Sequence, residues 1–247
     1  MEAITVFFYE ELGDFFQKHS HRIPIKVEIL GHETVKHIIE TSGIPHTEIG
    51  LIIVNGRNVG FDYRPQDSDS IAVYPWRRSP DNQGNNTQLR PSLVSPLKFV
   101  LDVHLGKLAG YLRLLGIDTL YQNDFCDVKL AEISRTENRI LLTRDRGLLM
   151  RKIVTYGYWI REKDPGLQLR EVINRFGITS SEEMFSRCSK CNGKLELVPK
   201  IEVIELLEPK TKLYYDEFRR CSNCRQIYWK GSHFKKMESF LSEIFNN

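Results

Sequence analysis

Three short apolar runs, each followed by an aspartate and then by a helical pattern, constrain this chain more than any other feature. The runs are Lys98-Phe99-Val100-Leu101, Ile117-Asp118-Thr119-Leu120-Tyr121 and Arg139-Ile140-Leu141-Leu142-Thr143. Each has the length of a strand and reads as one buried in a sheet. Asp102 follows the first run, Asp124 and Asp127 the second, and Asp145 the third. Helical spacing comes next in every case. Leu108, Leu112 and Leu115 share one face over residues 106–115, with Gly116 as the stop, and further helices are expected over 127–136 and 146–152. Residues 155–160 read as a fourth strand, and 167–176 as a fourth helix ended by Gly177. Strands alternating with helices give a parallel sheet, whose ligands bind at the carboxyl ends of the strands. The four aspartates are therefore expected on one rim.

Carboxylates gathered on a rim repel one another, and burial adds to the cost. A hard dication relieves both, so Mg²⁺ or Mn²⁺ is the expected companion, with Asp102 and Asp145 as its ligands. Asp124 and Asp127 complete the acidic set, one of them acting through a bound water. Asp127 and Asp145 are also placed to cap helices, a role compatible with ligation. Aspartates holding a divalent ion suit hydrolysis of a phosphodiester by a metal-activated water. Lys107, Arg113 and Arg144 are the cations nearest these acids in sequence, and Arg113 interrupts an otherwise apolar helix face. They are the candidates for phosphate contact.

A second motif is independent of the first. Cys188-x-x-Cys191 and Cys221-x-x-Cys224 are two knuckles separated by residues 192–220. Two such pairs satisfy tetrahedral Zn²⁺ with four thiolates and leave no open position, so the metal is expected to be structural. Residues 195–198 and 201–204 read as strands of a ribbon between the knuckles. Cys126, the fifth cysteine, reads as a small buried residue rather than a ligand. After the second knuckle, Tyr228, Trp229, Lys230 and His233 combine rings with basic groups, a pairing suited to single-stranded RNA, or to packing the ribbon on its neighbour.

The chain before residue 79 has a different rhythm. Strands are expected over 4–9, 25–30, 51–54 and 71–74, a short helix or turn over 12–18 and a helix over 33–42. Asn55-Gly56 marks a hairpin. Strand–strand–helix–strand–strand looks like the β-grasp fold of ubiquitin-like sulfur carriers. Their Gly-Gly terminus is replaced here by Pro75-Trp76-Arg77-Arg78, so sulfur-carrier activity is not expected and a docking or spacing role is. The polar stretch 79–88 reads as a linker. The expected division is a β-grasp domain over 1–78, a linker over 79–96, an α/β domain over 97–182, and a zinc ribbon with C-terminal helix over 183–247.

Composition narrows the partners. Of 247 residues, 41% are hydrophobic and 27% charged, which is ordinary for a globular protein and excludes a membrane protein. With no opening signal peptide, and cysteines paired as CxxC, a cytoplasmic location is expected. Basic and acidic side chains number 8 and 11 over residues 1–80, 15 and 13 over 81–186, and 12 and 8 over 187–247. The basic surplus sits with the acids and cysteines, where a polyanion would bind.

From Phe99 onward these pieces resemble one family, the RNase domain named for the C-terminal region of the Mut-seven exonuclease. The resemblance rests on Leu105-Gly106-Lys107-Leu108-Ala109, Tyr111 to Gly116, Asp124 with Asp127, and Ile140 to Arg146. The paired CxxC and Tyr228-Trp229-Lys230-Gly231-Ser232-His233 complete it. It implies a PIN-like nuclease fold with an appended zinc ribbon, often preceded by a β-grasp domain. The expected function is a Mg²⁺- or Mn²⁺-dependent ribonuclease acting on RNA, including tRNA or ribosomal RNA. Two other readings fit the same residues: a non-catalytic RNA- or tRNA-binding module, and a phosphoesterase of small molecules.

Overall fold

The computed structural model describes residues 2–16, 22–76, 89–93, 95–179 and 183–246. The polar stretch 79–88 read as a linker lies outside the described residues. The chain folds as two compact units. One comprises residues 1–96 with 126–160, the other residues 97–125 with 161–247.

The first unit opens with β1 (Glu2–Tyr9), a 3₁₀ turn (Glu10–Phe16), β2 (Arg22–Ile29), α1 (Val35–Thr41) and a second 3₁₀ turn (His46–Glu48). Then come β3 (Ile49–Val54), β4 (Arg57–Asn58) and β5 (Ser70–Pro75). The sheet order is β2-β1-β5-β3-β4, with β1 and β5 parallel and the other pairs antiparallel. This is a β-grasp sheet wrapped on one helix. Alternation drives it: Ile4, Val6 and Phe8 of β1 face inward onto Val35, Ile38 and Ile39 of α1 and onto Ile52 and Val73. Asn55 and Gly56 both have positive φ, 48° and 82°, which is what a two-residue hairpin of matching twist requires.

The second unit takes up the chain with β6 (Lys98–Leu101), a 3₁₀ turn (Val103–Leu105), α2 (Gly106–Leu114) and β7 (Asp118–Leu120). β6 and β7 run parallel, so β6-α2-β7 is one strand–helix–strand unit. The chain then returns to the first unit for α3 (Asp127–Thr136), β8 (Ile140–Thr143), α4 (Arg146–Leu149) and β9 (Gly157–Trp159), with β8 and β9 parallel. The expected helix over 146–152 is thus a single turn, and Cys126, not Asp127, occupies the cap position of α3.

Residues 126–160 pack against the β-grasp sheet within the first unit. Trp159 joins that hydrophobic core, its ring 4.8 Å from Phe15. The Trp159 N–H donates to Glu48 Oε1 at 2.7 Å, and a ring nitrogen of His46 lies 2.9 Å from the Val154 carbonyl oxygen. Arg146 places its guanidinium 4.1 Å from the Trp159 ring centre and donates to the Phe15 carbonyl at 3.1 Å. Beyond the undescribed stretch, Leu89 packs on the same core, and Arg90 donates to the carbonyls of His46, Thr47 and Ile49. The β-grasp sheet is thus a packing partner of 126–160, which exceeds what a spacer needs.

The second unit resumes with α5 (Pro165–Phe176), capped by Asp164 and closed by Gly177 in the left-handed region. Phe99 of β6 meets Phe176 of α5 edge-on, ring centres 5.3 Å apart, and α2 packs on α5. After it come β10 (Leu195–Val198), α6 (Lys200–Val203), α7 (Pro209–Tyr214), β11 (Phe218–Cys221), β12 (Ile227–Trp229) and α8 (Ser232–Asn246). β10, β11 and β12 form an antiparallel three-stranded sheet. Residues 201–204, expected as a strand, are instead α6 running into a 3₁₀ turn. Val203 and Leu207, four apart, close on Phe218 in a small core, so helical spacing overrides the alternation of Ile201 and Val203. No helix among the described residues is long and apolar enough to cross a membrane.

Candidate functional site

The two cysteine knuckles fold alike. In each, the first cysteine's N–H donates to the carbonyl five residues on: Cys188 to Gly193 at 2.8 Å, Cys221 to Gln226 at 2.9 Å. In each, the N–H four residues on returns to that cysteine's carbonyl, from Asn192 at 2.9 Å and from Arg225 at 3.2 Å. Asn192 and Arg225 both adopt positive φ, 70° and 63°. The knuckles meet closely because residue 193 is glycine: a Cβ there would lie 2.8 Å from Cys221 Sγ.

The four Sγ atoms lie within 4.8 Å of one another, with Cys188 to Cys224 at 3.6 Å and Cys191 to Cys221 at 3.4 Å. Tetrahedral zinc at a Zn–S distance of about 2.3 Å requires S···S edges of about 3.8 Å, so the donor set fits. Burial pushes the Cys191, Cys221 and Cys224 thiols up. Burial also acts against Cys188, but the Tyr228 hydroxyl and the N–H groups of Cys191 and Lys190 outweigh it and hold that thiol at about 7. The Tyr228 hydroxyl sits 3.0 Å from Cys188 Sγ. The sequence suggests Tyr228 only as a ring near RNA or a packing residue; in the fold its hydroxyl meets a thiol of the set that could hold a metal.

Arg113 departs from expectation. It is 3% exposed, and its guanidinium donates to the carbonyls of Thr119 at 2.9 Å, Ser189 at 3.1 Å and Lys190 at 3.0 Å. Burial lowers its pKa, and the charges of Cys188 and Cys191 oppose that shift. A cation that the sequence assigns to phosphate thus bolts α2 to the first knuckle. Asn192 adds a second tie: its amide donates to Asp118 at 2.8 Å and accepts from the Thr119 N–H at 3.0 Å. Nothing in the sequence signals this role, because Asn192-Gly193 looks like an ordinary turn.

The aspartates fall into two pairs, one in each unit. Asp102, 7% exposed, ends β6 and caps the following turn, Oδ1 accepting from the Val103 N–H at 2.6 Å. Asp124 is exposed in the loop after β7. Tyr121 joins these two loops by donating to the Val103 carbonyl at 2.9 Å. In the other unit, Asp145 lies just past β8 and caps α4, Oδ1 accepting from the Gly147 N–H at 2.8 Å. Asp127 is the first residue of α3, and its carboxylate reaches Arg151 at 3.5 Å. Lys107 is the second residue of α2 and Arg144 immediately precedes Asp145, and the Arg144 carbonyl accepts from the Trp159 indole at 3.2 Å. Among the described residues, the group of three or more ligand atoms close enough to share one ion is the cysteine set. Trp229 ends β12, Lys230 follows it, and His233 stands in the first turn of α8.

A family model described as the Mut7-C RNAse domain matches residues 97–241, and one described as Mut7-C ubiquitin matches residues 1–81. No curated protein matches the chain. Among solved structures, it is similar to a putative molybdopterin converting factor, subunit 1, from Pyrococcus furiosus at 18% identity and a TM-score of 0.25. That match covers 30% of this chain and 98% of the other. It is also similar to small archaeal modifier protein 1 of H. volcanii, at 13% identity, the same coverage and a TM-score of 0.25.

Proposed function

The chain belongs to the Mut7-C RNAse domain family, and on that premise we propose that it is a metal-dependent ribonuclease. The observation that carries the proposal is the family match over 97–241 together with an aspartate at the carboxyl end of one parallel strand in each unit, Asp102 after β6, which pairs with β7, and Asp145 after β8, which pairs with β9. Their carboxylates are the hard oxygen donors that Mg²⁺ or Mn²⁺ prefers. Such an ion is commonly held by one or two carboxylates plus water and substrate phosphate, so it does not require a closed protein cage. Bound by such a carboxylate, an ion would supply Lewis-acid stabilisation of phosphorane charge and an acidified water. Backbone N–H groups fix both carboxylates before any ligand arrives. Asp124 and Asp127 are assigned to orient water, and Lys107 and Arg144 to balance phosphate charge.

The cysteine set is assigned a structural Zn²⁺, because four thiolates leave no position for substrate. The β-grasp sheet is assigned a docking role rather than sulfur transfer. Just past β5 the Trp76 N–H donates to the Glu48 carbonyl at 2.6 Å, which carries the antiparallel β3–β5 pairing one residue further. The test is cleavage of a labelled RNA pool by the wild type and by Asp145→Asn, with and without added Mg²⁺ or Mn²⁺. Cleavage that needs the metal and falls roughly a hundred-fold or more in the variant supports the proposal. Binding without cleavage under every condition overturns it in favour of a non-catalytic RNA-binding module. Turnover confined to a small phosphoester favours a phosphoesterase.

A further inference from the structure

A cavity of about 560 Å³ opens in the second unit between β11, β12, the start of α8 and residues 184–189. None of the four aspartates lines it. Its size falls in the range of small-molecule and nucleotide sites. Aromatic surface is abundant: Phe185 and Phe234 lie with ring centres 4.3 Å apart, and Trp229 stands at the rim. The indole has a built seat, because a Cβ at Gly231 would lie 2.8 Å from Trp229 Nε1, so only glycine lets the ring lie there. Cations share the same wall. Arg219 and Lys230 line the cavity, as do Ser232 and His233, the first residues of the fifteen-residue helix α8. The amino end of a helix carries unpaired N–H groups and partial positive charge, and it favours an anion. Two acids, Glu217 and Glu238, also line the cavity, but residues 187–247 as a whole carry 12 basic against 8 acidic side chains.

Rings flanked by cations recognise an unstacked base with its phosphate, and do so with little sequence preference. We propose that this cavity holds one nucleotide of a single-stranded RNA, its base on the Trp229 and Phe234 rings and its phosphate beside Arg219, Lys230 and the amino end of α8. The site is an anchor on the zinc-bearing unit, separate from the aspartates. It rests on the ribonuclease reading for its ligand class, but not on catalysis. The position of Tyr228 joins anchor and metal: the residue lines the cavity while its hydroxyl meets Cys188 Sγ.

The test uses the full chain, loaded with zinc, and a fluorescent single-stranded oligoribonucleotide without added Mg²⁺ or Mn²⁺. Trp229→Ala is expected to weaken binding roughly ten-fold or more, the scale of one lost stacked base. Lys230→Glu is expected to weaken it further and to flatten its dependence on salt. Zinc content and far-ultraviolet circular dichroism confirm that each variant is folded. If Trp229→Ala is misfolded, ultraviolet crosslinking of the wild type to the same RNA decides, with adducts expected on Trp229 or Phe234. Unchanged affinity in both folded variants, or adducts only elsewhere, overturns the anchor. A protein equally well bound by a free nucleoside triphosphate or a duplex, with no preference for single strands, also overturns it. RNA cleavage with unaltered binding by Trp229→Ala removes the anchor and leaves the nuclease, whereas crosslinking at Trp229 in a protein that never cleaves does the reverse.

Discussion

Arg113 shows how residue type and context can point in different directions. In the sequence it is a cation on an apolar helix near acids, and phosphate contact is the natural assignment. In the fold its long side chain reaches carbonyls of β7 and of the first cysteine knuckle, far apart in sequence. Arginine suits that task, because its rigid fork can serve several acceptors at once. Arg113→Ala should therefore strand the buried Thr119 carbonyl and two partly buried ones, and cost about 2–4 kcal/mol of stability, at roughly 1–3 kcal/mol for each bond to a charged group with partial relaxation. Thermal unfolding and the rate of zinc transfer to a colorimetric chelator measure this. Faster zinc loss and a lower midpoint are expected; an unchanged midpoint with a shallower salt dependence of RNA binding would restore the phosphate role. The aspartates differ from Arg113 because their positions follow from local chemistry. A carboxylate just past a buried strand caps the next turn, and Asp102 and Asp145 both do so. Asp127 stands one position beyond its expected place, since Cys126 takes the cap.

At the scale of elements, periodicity and turn chemistry make the β-grasp sheet and the parallel strands readable. The Asn55-Gly56 turn, the Gly177 stop and the inward alternation of β1 all appear where their mechanisms require. Residues 201–204 are not readable, because β-branched alternation and helical spacing coexist there, and only the distant Phe218 decides between them. The cavity beside α8 is invisible in the sequence for the same reason: its walls come from segments whose proximity depends on the knuckles closing. The knuckles themselves are legible from CxxC spacing, and filling them has a large energetic consequence. Structural zinc binding is worth about 10–16 kcal/mol near neutral pH, comparable with a whole domain's stability of about 5–15 kcal/mol. Purified protein should contain one zinc per chain, and Cys188→Ser should lose it and unfold the segment from β10 to α8. Metal analysis with amide hydrogen exchange reads both. Protein without zinc that keeps full protection over β10 to β12, or a disulfide in either pair under reducing conditions, would contradict this.

At the scale of the molecule, the β-grasp sheet belongs to the same compact unit as residues 126–160. Glu48, fully buried, holds the Trp159 N–H, and Trp159 packs against the β-grasp core. Removing residues 1–88 should therefore expose Trp159 and the faces of β9 that the sheet covers, giving a truncated protein that aggregates or is rapidly proteolysed over 126–160. A truncated chain with wild-type solubility and protease resistance would restore the sheet to a detachable spacer. The family match and the strand-end aspartates make hydrolysis by a metal-activated water the central claim about the whole chain. Its most direct measurement is the chemistry of the ends left on cleaved RNA, with Mg²⁺ or Mn²⁺ added or withheld and the structural zinc retained. An attacking water leaves a 5′-phosphate and a 3′-hydroxyl, and products should form only when the metal is added. Products ending in a 2′,3′-cyclic phosphate, formed equally without added metal, would contradict it, because the RNA's own 2′-hydroxyl would then be the nucleophile.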